Sequence, residues 1–141
     1  MATTTATISI SSDIMSYPAR INKSMTMTKA DSCNGLEETS GLNSKKFTSE
    51  PAVVIVSNAE GTADKASKVY IRNTGSSKVN NFYVSLNASA SAAATTESIG
   101  KLYGGDWMLI PWIATAATTH DITIVPSTTE TMTIEWMVFV E

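Results

Sequence analysis

The sequence predicts an all-β fold: one β-sandwich or jelly-roll-like domain carrying an extended, Ser/Thr-rich N-terminal arm. Three observations predict it. Apolar residues recur in short runs of strand length, such as AVVIVS at 52–57 and TMTIEWMVFV at 131–140. Turn signals separate these runs at spacings near ten residues, among them Asn73-Thr74-Gly75 and Gly104-Gly105-Asp106. No helical pattern alternates with them, which argues against an α/β fold. About seven strands at such spacing fit a sandwich or jelly roll better than a barrel.

Residues 1–50 differ in make-up from the remainder. They are rich in Ser, Thr, Lys and Asn, and their only aromatics are Tyr17 and Phe47. Thr7–Ser11 reads as a short strand. Ile21–Lys29 alternates imperfectly, with Met25 and Met27 on one face and Thr26 and Thr28 on the other. Residues 32–49 hold Gly35, Gly41, Asn34, Asn43 and the Lys45-Lys46 pair, and read as loop. Such a segment buries little surface alone, so it should order against its own domain or a neighbour. The expected division is an arm over 1–50 and a sandwich over 51–141. On that reading, removing residues 2–48 leaves a folded domain.

Along the sandwich, residues 52–57 form a buried strand and 58–62 a turn. Strands follow at 67–73 and 79–86. Within the first, Val69, Ile71 and Asn73 share one face, and Tyr70 and Arg72 the other. The alanine-rich stretch 88–98 has no periodic apolar face and reads as a flexible loop rather than a helical turn. Residues 99–103 lead through Gly104-Gly105 into 106–112. Pro111 lacks an N–H for a ladder, so it belongs at a strand end, an edge or a bulge. Strands at 120–125 and 131–140 close the chain. In the last, Met132, Ile134, Trp136, Val138 and Val140 form a wholly apolar face. The opposite face turns apolar at Met137 and Phe139. A strand apolar on both faces lies between two layers or under a partner.

Composition narrows the function. Apolar residues make up 43% and charged residues only 16%, against a usual quarter. Ser and Thr supply about a quarter of the chain instead, a make-up familiar in extracellular and particle-borne β-proteins. The net charge is −3. After Lys78 a single base, Lys101, stands against Glu97, Asp106, Asp121, Glu130, Glu135 and Glu141. No basic stripe is present, so nucleic acid is not an expected partner. No apolar run reaches 18 residues, so no membrane span is expected. The first residues lack a basic start and a long apolar run, so no signal peptide is expected. Cys33 is the sole cysteine, which fits assembly in a reducing cytoplasm.

No constellation for chemistry emerges. His120 and Asp121 are strand neighbours that point to opposite faces, and no Gly-x-Ser-x-Gly elbow occurs. The carboxylates Asp106, Asp121, Glu130 and Glu135 have no fixed separation, and Asp106 reads as a turn residue. One His and one Cys far apart do not make a zinc site. The glycines at 100, 104 and 105 are not followed by the Lys-Ser/Thr of a phosphate loop. The chain is therefore expected to be no enzyme, with no metal and no cofactor. Its candidate functional residues are contact residues: Tyr103, Trp107, Trp112, Phe82, Tyr83, Met137 and Phe139. Tyr103, Trp107 and Trp112, beside the Gly-Gly-Asp turn, could alternatively stack on sugars.

The segments KVYIRNTG, IGKLYGGDWMLIPW and TMTIEWMVFV resemble parts of small virion structural proteins of tailed bacteriophages, notably marine and cyanobacterial phages. The similarity covers about half the chain. It implies a multicopy β-sandwich that decorates a capsid or builds a neck, tail or fibre. It implies binding to the major capsid protein or other virion proteins, homo-oligomers, and a place in the virion after assembly in the host cytoplasm. It transfers no catalytic residue.

Overall fold

The structure, a computed structural model, describes residues 4–12, 19–27, 38–48, 51–60, 66–86, 98–113 and 120–140. Tyr17, Cys33, Gly35 and nearly all of the alanine-rich stretch expected as a loop lie outside them. The strands are β1 (Thr4–Ser12), β2 (Ala19–Met27), β3 (Glu38–Thr39), β4 (Asn43–Phe47), β5 (Val53–Val56) and β6 (Ala66–Asn73). They continue with β7 (Asn81–Leu86), β8 (Ser98–Tyr103), β9 (Trp107–Ile113), β10 (Ile122–Pro126) and β11 (Met132–Val140). Residues Asn58–Glu60 form a 3-10 turn. The all-β class expected from the sequence is the class observed. The chain forms two compact units, the N-terminal residues through Glu37 and the segment Glu38–Val140.

The first unit contains an antiparallel hairpin, β1 against β2, from Thr4 opposite Met27 to Ser12 opposite Ala19. Side chains alternate across it. Ala6, Ile8, Ile10, Ile21 and Lys23 fall on one face, and Thr5, Thr7, Ser9, Ser11, Asn22 and Ser24 on the other. On the polar face the Thr7 and Ser24 hydroxyls hydrogen-bond at 2.7 Å.

The second unit is a jelly roll. β4 pairs with β11, β5 with β10, β6 with β9 and β7 with β8, all antiparallel. The unit is thus one long hairpin with its tip at β7–β8, rolled so that successive strand pairs alternate between two sheets. One sheet runs β5-β10-β7-β8, and the other β4-β11-β6-β9. Two Greek keys folded this way define the jelly roll. β3 extends the β4 edge, pairing Thr39 with Phe139. Between β3 and β4, Ser40 carries the ladder on. Its N–H donates to the Val138 carbonyl at 3.1 Å, and its hydroxyl accepts from Val138 N–H at 2.9 Å. Gly41 turns the chain there at φ 72, a conformation that costs glycine little.

Strand alternation builds the core. The β4–β9 sheet turns Phe47, Val69, Ile71, Trp112, Ile134 and Val138 inward, and the other sheet Ile55, Val56, Phe82, Val84, Ile122 and Ile124. Phe47 and Phe82 meet across the layers edge to face, with ring centroids 5.2 Å apart. The continuous run AVVIVS has a structural cause. The β5–β10 register shifts between Ile122 and Thr123, and this irregularity lets the neighbours Ile55 and Val56 both be buried. A similar shift in β7–β8 leaves Ile99 without an opposite residue, exposed on an edge strand.

The unit boundary lies at Glu37–Glu38, not at residue 50. The composition of β4 continues that of the arm and on that ground predicts loop. Phe47 is fully buried and every residue of β4 pairs with β11, so this stretch belongs to the domain.

Candidate interaction surface

The Asn-Thr-Gly and Gly-Gly-Asp signals meet in space and hold one end of the roll. Asn73 is buried at 1% exposure. Its side-chain amide donates to the Leu102 carbonyl at 3.0 Å, and its side-chain oxygen accepts from Gly75 N–H at 2.9 Å. Gly104 N–H donates to the Ser77 carbonyl at 2.7 Å. The Asp106 carboxylate accepts from Tyr103 N–H at 3.0 Å, and Gly105 has φ 89. Asp106 is a turn residue, as expected. These signals therefore serve the fold.

The β6, β9 and β11 residues that point away from the core form an outer face with several large apolar groups. In register, Met137, Tyr70 and Leu109 make one row across the three strands. Glu135, Arg72 and Trp107 make the next, and Phe139, Lys68 and Pro111 the row on the other side. Ile113 follows on β9. Trp107 is 49% and Ile113 51% exposed. The Tyr70 and Trp107 rings lie 6.5 Å apart at 35°.

β9 is the edge of its sheet. Asn73 N–H donates to the Asp106 carbonyl at 3.0 Å, which makes Asn73–Asp106 a hydrogen-bonded pair. Pair types alternate along an antiparallel ladder, so Lys68–Pro111 is a non-hydrogen-bonded pair. The Pro111 nitrogen then points away from β6 toward the free edge. Proline removes a donor from that edge and costs the β6 ladder nothing, which disfavours addition of another strand. Contact through β9 is left to its outer side-chain face.

The sequence-derived contact residues separate into three groups. Trp107, Met137 and Phe139 lie together on this outer face, with Phe139 largely buried. Tyr83 and Tyr103 are half-buried and belong to the other sheet. The Lys101 ammonium sits 4.9 Å from the Tyr83 ring centroid, a cation–π contact. Phe82 and Trp112 are corrected to core residues. Phe82 is fully buried, and Trp112 faces inward with its indole N–H donating to the His120 carbonyl at 2.6 Å. The alternation of β9 puts Trp107 and Trp112 on opposite faces, so they cannot form one sugar platform. Tyr70, Leu109 and Ile113 complete the outer face and were missed. The clue to Tyr70 was its place opposite Val69 and Ile71. WMLIPWI offered none, being apolar on both faces.

Asp121 is buried, and its carboxylate accepts from Asn58 N–H at 2.7 Å, fixing the 3-10 turn. Among the described residues no three His, Cys, Asp or Glu side chains come together as a metal site. No described helix is long and apolar enough to cross a membrane. No family model, no curated protein and no solved structure matches the chain.

Proposed function

We propose that the chain is a non-enzymatic structural subunit of a bacteriophage particle, a decoration or cement protein that binds the capsid surface in many copies. The observation that carries this reading is the outer face of β11, β6 and β9. A sheet that already buries one face in its own core, and lines the other with Tyr70, Trp107, Leu109 and Met137, is built for contact with another protein. The jelly roll supports the reading by analogy, since it recurs in capsid and lectin domains, though fold does not fix function. The sequence resemblance to virion proteins points the same way. Repetition over many copies gives avidity without a strong single contact.

The test is the copy number of the protein in purified particles, by quantitative mass spectrometry against the major capsid protein. Hundreds of copies support a capsid-surface position. A few dozen or fewer move it to the neck, tail or fibre. Complete absence overturns the virion reading. A sugar-binding module is the second reading, favoured by the half-exposed Trp107 with Tyr70 beside it. Unchanged tryptophan fluorescence across a broad glycan panel would count against it.

A further inference from the structure

We infer that the β1–β2 hairpin of one copy docks its isoleucine face on the outer face of β11, β6 and β9 of a second copy. This rests on reading that outer face as a contact surface, and not on a place in a virion. The hairpin is the stronger half of the argument. A two-stranded hairpin is marginally stable by itself in water. Yet Ile8, Ile10 and Ile21 share one face and are 40%, 50% and 48% exposed. On the sheet, Trp107 and Ile113 are exposed as well. The chain thus carries two apolar faces that each need a cover.

Their dimensions agree. Nine residues in each strand give the hairpin a length of roughly 30 Å and, at two strands, a width of roughly 10 Å. One face is then on the order of 300 Å². A reciprocal exchange of two hairpins buries about 1,200 Å² counted over all four surfaces, the lower bound for a specific, stable interface. The tether also fits. Ten residues, 28–37, join β2 to β3, and a chain of that length spans at most roughly 35 Å. It joins at Glu38, opposite Val140, at the end of β11 that bears Phe139. The tether therefore starts from the sheet that carries the patch. Because Pro111 blunts the free edge of β9, the hairpin lies on the face rather than extending the sheet. Two-fold exchange closes a dimer, and head-to-tail exchange makes a ring or a chain.

The test uses full-length protein. Light scattering on a sizing column at tens of micromolar should show a dimer or larger closed oligomer. Ile8→Glu, Ile10→Glu and Ile21→Glu together should weaken self-association about a hundredfold or more, with the thermal transition of the jelly roll unmoved. Leu109→Lys should weaken it too. Contact between copies is read directly in a Cys33→Ser background. A tagged copy carrying Ile10→Cys and an untagged copy carrying Leu109→Cys, mixed and oxidised, should give a mixed disulfide. A monomeric parent overturns the proposal. So does an oligomer that survives the triple hairpin substitution, and so does failure of the mixed disulfide to form.

Discussion

Asn73 links three segments of sequence through one buried side chain. It tethers the chain after β6 through Gly75 and the end of β8 through Leu102. Its backbone receives the β8–β9 turn through Gly105 N–H and donates to Asp106. Replacement by leucine keeps the branching but strands a carbonyl and an N–H. That should cost about 1–3 kcal/mol, read as a lower urea midpoint at unchanged slope. The neighbouring glycines give a graded prediction. A methyl group at Gly104 would lie 2.5 Å from the Ser77 backbone nitrogen and 2.6 Å from two further backbone atoms. One at Gly105 meets only the Lys78 ammonium at 3.8 Å, but on a backbone at φ +89. One at Gly100 meets nothing within 4 Å. Urea unfolding should therefore rank Gly104→Ala as most damaging. Gly105→Ala should cost about 1–2 kcal/mol, and Gly100→Ala should be close to neutral. The turn character of these positions was legible as Asn-Thr-Gly and Gly-Gly-Asp. Their meeting was not, because Asn73 and Leu102 are joined by tertiary pairing rather than by a local pattern.

At the scale of the strand, β9 and β11 carry the contact face, and they were legible to different degrees. β11 alternates cleanly, so its inner face could be named residue by residue, and Met137 and Phe139 stood out as apolar groups on the wrong side. β9 is apolar at every position from Trp107 to Ile113. No periodicity tells which of its tryptophans is inside, so from the sequence both stand as contact candidates. Substitution separates the two. Trp112→Ala removes a buried indole and its hydrogen bond to the His120 carbonyl, and should cost about 3–5 kcal/mol. Trp107→Ala removes a half-exposed ring tilted toward that of Tyr70. It should change the unfolding free energy by less than about 1 kcal/mol while weakening assembly. The reverse order in guanidinium melts would put the wrong face of β9 inside.

For the whole molecule, what decides the architecture is pairing between strands far apart in sequence. Local patterns mark where strands are. They do not say that β4 closes against β11 from the far end of the chain, and this pairing is what makes the roll. The same long-range contact explains why composition misplaced the arm. β4, NSKKF, reads like the polar residues before it, and Phe47 alone marks it as part of the core. Two truncations test the boundary. Removing residues 2–37 leaves every strand of the jelly roll intact, so its cooperative thermal transition should move by no more than a few degrees. Removing residues 2–48 takes away β3, β4 and Phe47, and leaves β11 as a bare edge over an opened core. Loss of the buried phenylalanine alone costs about 3–5 kcal/mol, a large share of a typical domain's 5–15 kcal/mol. This longer truncation should melt far lower or lose its cooperative transition, and the point variant Phe47→Ala should reproduce much of the loss. Equal transitions for the two truncations would return β4 to the arm. If the shorter one keeps its fold but loses self-association, the hairpin is the part of the chain devoted to contact with other copies.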